Sequence, residues 1–167
     1  MEAVSTAIGY IIIAVFYAIF GVTVGLGSIY LTKAFSNLKM EQVFFGVLLV
    51  LIAAFYWAFT LYFGAQDAWT IEIVSVLGFA VLGLAGIRFT TLLIIGYLLH
   101  GIWDGVHEFN MSMNENAWDL TSLPLGYGFL CVAYDFFIAG YFYTRRKQWR
   151  AAWGGSKKTS PSSCKCS

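Results

Sequence analysis

The stretch TIEIVSVLGFAVLGLAGIRFTTLLIIGYLLHGIWDGVHEF, residues 70–109, is apolar almost throughout and is broken only at Gly86 and Arg88. A helix crosses the hydrocarbon core in about twenty residues, so this run is too long for one crossing and suits two joined by a very tight turn. Its reading sets the fold: spans at 70–87 and 89–109, with Arg88 at their junction. Upstream, two further apolar blocks cover 7–31 and 43–64, separated by the polar stretch TKAFSNLKMEQ. Downstream, NMSMNENAWDLTS leads into a last block at 123–143, where Pro124 is tolerable in the first helical turn. The expectation is an all-α fold, an integral membrane bundle of five transmembrane helices within residues 1–153.

Composition agrees. Of 167 residues, 59% are hydrophobic and only 11% charged, too little polar surface for a water-soluble fold of this size. A soluble enzyme, a secreted disulfide scaffold and a nucleic-acid binder are thereby excluded. The basic residues give an independent test of the span count, because cytoplasmic loops hold the excess of Lys and Arg. Lys33 and Lys39 lie between spans one and two, Arg88 between three and four, and the other seven follow span five. Five spans put all ten on one side, whereas four would split them; the N-terminus is therefore expected outside and the C-terminus in the cytoplasm.

The ends carry less information. MEAVST has no basic region ahead of the first apolar block, so that block reads as a retained span rather than a cleaved signal. Arg145, Arg146, Lys147 and Arg150, interleaved with Trp149 and Trp153, read as an anchor on anionic lipids of the bilayer. Residues 154–167 are rich in Gly, Ser and Lys and are expected to be a disordered basic cytoplasmic tail. Cys164 and Cys166 in that tail are candidates for acylation, and Cys131 falls inside span five, so no disulfide is expected.

Chemistry concentrates in span four. Both histidines of the chain, His100 and His107, are there, with Asp104 between them and Glu108 after. At about 100° per residue these four share one helix face. Ionisable groups within a bilayer cost several kcal/mol unless paired, so that face must look into the bundle. At a rise of about 1.5 Å per residue from Arg88, His100 lies about 18 Å in, near the midplane, and Asp135 of span five reaches the same depth. Glu72, early in span three, falls level with His107 and Glu108. Two tiers result: His100, Asp104 and Asp135 below, and His107, Glu108 and Glu72 above. Gly101 and Gly105 beside this stripe, and Gly21 and Gly25 in span one, offer matching smooth surfaces for close helix approach.

His100 and His107 are about 10.5 Å apart along the axis, too far to share one ion at a bond length of about 2.1 Å. Asp104 is within reach of either and could bridge two ions, so one or two divalent metal ions, iron, zinc or manganese, are the expected cofactor. The same ladder without metal suits a proton relay, and the plainest alternative is a set of hydrogen bonds acting as glue between helices. Three functions stay open: a membrane-embedded metalloprotein, possible enzyme included, acting on a lipid-like substrate; a proton or ion carrier, which with so few spans requires a homo-oligomer; and a non-catalytic assembly or scaffold protein. The spacings of His-Glu-x-x-His, Gly-x-Ser-x-Gly and phosphate-loop enzymes do not occur.

Gly96, Tyr97, Leu98, Leu99, His100, Trp103, Asp104, His107 and Glu108 form the pattern G-[YW]-L-L-H-x-x-W-D-x-x-H-[HE], preceded by Arg88-Phe89 and followed by Cys131 and Asp135. In this the chain resembles a family of small multi-spanning membrane proteins grouped as a domain of unknown function. The resemblance covers spans three to five, and it implies a site at these residues without naming a substrate.

Overall fold

Polar punctuation sets the helix ends. In the computed structural model, which describes residues 2–35, 37–112 and 119–153, with side chains at 7–34, 37–111 and 119–153, these form five helices and no strand. Helix α1 runs Glu2–Phe35, α2 Leu38–Phe63, α3 Trp69–Gly86, α4 Thr90–Ser112 and α5 Tyr127–Trp153. Asn37 starts α2: its side-chain oxygen accepts the N–H groups of Lys39 and Met40, each at 3.1 Å, which otherwise have no partner in the first turn. Gly64, at φ 68°, ends α2 in the left-handed conformation that a side chain disfavours. The long apolar run of residues 70–109 does break into two helices. Ile87 to Phe89 turn tightly, with the Arg88 and Phe89 N–H groups both donating to Ala85 O at 3.1 and 3.0 Å.

The last helix starts later than the sequence suggested. Leu123 to Leu125 are not helical, and Gly126, at φ 75°, makes the turn that admits α5 at Tyr127. A β-carbon at Gly126 would collide with the Tyr17 ring of α1, so close packing as well as backbone conformation requires glycine there. At its other end α5 continues past Tyr143 to Trp153, making the basic segment Arg145–Arg150 helical. The proposed tail at 154–167, with Cys164 and Cys166, lies outside the described residues.

Neighbouring helices run round the bundle in the order α1, α5, α4, α3, α2, and α2 closes against α4 and α5. α1 lies along α5 and hardly touches α2, although two residues join them. Small residues set the closest crossings. Gly46 of α2 and Gly83 of α3 face each other so closely that a β-carbon on either would come within 2.7 Å of the other's carbonyl oxygen. Gly21 and Gly25 do not meet Gly101 and Gly105 as their matching spacing suggested. Both pairs face α5, the first against Leu130, Tyr134 and Phe137, the second against Val132 and Asp135.

Burial is inverted relative to a soluble protein. Tyr62 is 83% exposed and Phe16 66%, whereas Gln42, His100, Asp104, His107 and Asp135 are fully enclosed. An apolar exterior, with the ionisable groups enclosed beside a core that includes Phe45, Leu49, Leu93, Ile138 and Phe142, is what a hydrocarbon solvent selects. Three helices, at Ala7–Ala34, Leu38–Phe63 and Trp69–Gly86, are long and apolar enough to cross a membrane. α4 is less apolar because it carries the ionisable stripe, and α5 because of its basic end. Gln42 ties the basic ends of four elements together. Its amide N–H donates to Gly86 O at 2.6 Å, and its oxygen accepts Trp153 Nε1–H at 3.0 Å and the Thr90 hydroxyl at 3.4 Å.

Candidate metal centre

α4 occupies the middle of the bundle, between α3 and α5, so its polar face has protein on every side. Equal depth of His100 and Asp135 brings the expected contact: His100 Nδ1 lies 2.7 Å from Asp135 Oδ2. One helical turn along α4, Asp104 Oδ2 lies 3.1 Å from the same nitrogen. A single ring N–H therefore confronts two carboxylate oxygens. Asp104 Oδ2 is left without a hydrogen bond, as are Asp135 Oδ1 and His100 Nε2. The other oxygen of Asp104 accepts the Tyr56 hydroxyl of α2. Phe79 of α3 meets the His100 ring edge to face at 4.8 Å and walls the cluster on that side.

His100, Asp104 and Asp135 each offer a donor atom within 4.8 Å of the others, the group among the described residues arranged to hold a metal ion. A cation with bonds of about 2.1 Å holds adjacent ligand atoms about 3.0 to 3.4 Å apart. Separations of 2.7 and 3.1 Å about Nδ1 are thus those of a metal polyhedron scarcely tightened, as well as those of hydrogen bonds. Charge closes too. With a neutral imidazole the two carboxylates carry two negative charges at zero exposure, and either one divalent cation or two protons makes the cluster neutral.

The upper tier is built differently. His107 Nε2 lies 2.7 Å from Glu72 Oε1, and its Nδ1–H donates to Trp103 O at 3.0 Å. Both ring nitrogens are engaged, and one proton held between Nε2 and Oε1 makes the pair neutral. Glu72 Oε1 also accepts the Thr121 N–H at 3.0 Å, so the pair fastens the segment leading to α5. Glu108 joins neither histidine. It turns toward the start of α5, where its carboxylate lies against Gly128, beside the N–H groups left over in a first helical turn. Of the six residues expected at the site, the fold gathers three into one cluster, pairs two apart from it, and turns the sixth toward the start of α5. A bridge from Asp104 to His107 is absent from this arrangement. Between the tiers stands the Tyr56 ring, 4.6 Å from His107 and 5.9 Å from His100.

Tyr56 is the site residue that sequence reasoning missed. Within FYWAFT it reads as one more interfacial aromatic; the available signal was Thr60, one turn on, which puts a second hydroxyl on the same helix face.

The family model for DUF6010, described as a family of unknown function, matches residues 16–148. The chain belongs to DUF6010. No curated protein and no solved structure matches it. The DUF6010 match takes in Tyr56, Glu72, the whole polar face of α4 and Asp135, and it stops before the end of α5.

Proposed function

We propose that this DUF6010 chain is a multi-pass membrane protein, N-terminus outside, that binds one divalent metal ion on His100, Asp104 and Asp135. The observation that carries the reading is the convergence of two buried carboxylate oxygens on one imidazole nitrogen, with Asp104 Oδ2 given no hydrogen bond. Mixed imidazole and carboxylate donors suit iron, zinc or manganese, and three protein ligands leave a coordination position for a substrate or water. That ligand count is typical of catalysis rather than of structural metal. A substrate reaching a centre enclosed at the middle of the bundle comes from the lipid phase, which favours a lipid-like molecule. Elemental analysis of protein purified without chelator tests the reading: about one first-row ion per chain is expected, and metal-free protein that takes up none on titration rejects it.

Proton and metal compete for the same neutral cluster, since one divalent ion replaces two protons. Affinity should therefore rise with pH, by up to about 100-fold per unit while both protons are held, and fall as pH is lowered. A titration with zinc or manganese across several pH values reads this slope; an affinity independent of pH would show that the carboxylates are not the ligands.

A second reading has an observation of its own. Tyr56 links Asp104 to the ring of His107, so His100, Asp104, Tyr56, His107 and Glu72 form a nearly continuous row of proton-carrying groups. Acting as a carrier along that row, the chain would work as a homo-oligomer and would move protons in vesicles without bound metal.

Five crossings with all Lys and Arg on one side are the topology we propose. In intact cells Ser112→Cys should react with an impermeant maleimide from outside, while Cys164 and Cys166 react only after permeabilisation. Labelling of Ser112→Cys solely from the cytoplasmic side would reverse the orientation.

A further inference from the structure

The basic end of the bundle holds a cleft that the metal centre does not use. The turn between α1 and α2 and the last turns of α5 border an open cleft of about 640 Å³, lined by Lys33, Asn37, Lys39, Glu41, Arg145 and Ala152. Three cations and one carboxylate line it. Glu41 is buried, and its charge is already committed: Oε1 accepts the Tyr141 hydroxyl at 2.5 Å, and that same hydroxyl takes a hydrogen bond from Arg145 Nη1. Arg145 Nε–H donates to Gln148 at 3.0 Å, so the outer edge of its guanidinium remains for a ligand. Lys33 rests over the Tyr141 ring at 5.1 Å and Lys39 over the Trp153 ring at 5.2 Å. Among the described residues, none of these three cations makes an ion pair with a carboxylate.

We propose that this cleft binds a phosphate group carried on an amphiphile, a phospholipid head such as a phosphomonoester. Two lysines held on aromatic faces and an arginine held from behind by Tyr141 form three preplaced donors around one volume, a stronger arrangement than a loosely basic surface. The amino end of α2 adds its positive pole on the same side, although Asn37 already satisfies its first N–H groups. The cleft is open and has room for more than a bare phosphate. α1 and α2 diverge from their two-residue connection, with apolar side chains exposed along both, and acyl chains attached to the phosphate can follow that divergence into the bilayer. Phosphate oxyanion recognition is common to a lipid head and to a soluble phosphate; the chain attached to it separates the two.

The test uses the full-length protein in a neutral detergent. Thermal stabilisation and native mass spectrometry are compared for short-chain phosphatidic acid, phosphatidylcholine of the same chain length, and inorganic phosphate. Phosphatidic acid should bind at least about tenfold more tightly than phosphatidylcholine. Lys33→Gln together with Lys39→Gln, both exposed and outside the buried network, should reduce that binding about tenfold or more. Lys147→Gln, on the same end but away from the cleft, should change it less than twofold. Arg145→Lys, which keeps the charge and loses the planar fork, should weaken binding severalfold. Inorganic phosphate binding as tightly as phosphatidic acid, with the same dependence on Lys33 and Lys39, would keep the phosphate site and reject the lipid. Equal losses from Lys147→Gln and from the double substitution would overturn the site in favour of undirected surface attraction.

Discussion

Asp104→Ala should empty the metal centre while leaving a folded protein. Asp104 supplies one of three donors, and its Oδ2 lies 3.1 Å from the imidazole nitrogen that the ion would share. Removing a ligand should lower affinity by well over the roughly 10- to 100-fold that losing an outer partner of a ligand costs. Tyr56→Phe removes such a partner, the hydroxyl that orients Asp104, and should fall within that smaller range. His107→Ala should leave the stoichiometry at one ion, because both nitrogens of His107 are spent on Trp103 and Glu72. These three variants, compared by elemental analysis and zinc titration, separate the readings. Two ions in the unaltered protein, one of them lost with His107, would show that Asp104 does bridge the tiers. Unchanged metal content in Asp104→Ala would remove the centre from these residues altogether.

Glu72→Ala should be the most destabilising single change, and for reasons unrelated to metal. The carboxylate is 1% exposed, pairs with His107 Nε2 at 2.7 Å and accepts the Thr121 N–H. Truncation leaves a buried imidazole and a buried backbone donor unpaired, and breaking a buried pair from one side costs about 3 to 5 kcal/mol. For a chain of this size that is a fall in melting temperature of roughly 10 °C. Glu72→Gln keeps an acceptor for Thr121 and should lose about half as much. Metal content, measured on whatever remains folded, should be the same in both. If Glu72→Gln were stable but stripped of metal, the pair would belong to the centre rather than to the scaffold.

The sequence exposed one part of this site because α4 breaks a strong rule. Imidazoles and carboxylates in an apolar helix are conspicuous, and helical geometry then places them on one face. Depth counting added Asp135 and Glu72, since rise per residue is nearly constant whatever the packing. Helix rotation is not encoded so locally. Glu108 lies about 80° from His100 on α4, and only the position of α5 sets it against Gly128 instead of His107. Tyr56 was hidden because hydropathy counts tyrosine with its apolar neighbours, and its hydroxyl matters only once α2 stands against α4. The start of α5 was misplaced because Pro124 fits a first helical turn as well as a lead-in; Gly126 with its left-handed backbone decides it.

Because the cluster lies where apolar burial discriminates little between one helix placement and another, it also acts as a vernier for the bundle. In the membrane placement proposed above, leucine against lipid and leucine against leucine are nearly equivalent, so α4 and α5 could slide past each other by a turn, about 5.4 Å, at little apolar cost. Such a slide would set His100 opposite Cys131 or Ala139 in place of Asp135 and strand three ionisable groups in hydrocarbon. The penalty falls on every register but one. The residues proposed to hold the ion are therefore also the teeth that select the native alignment: His100 and Asp135 mesh across the two helices, whereas Asp104→Ala leaves that pair in place and tests the chemistry alone.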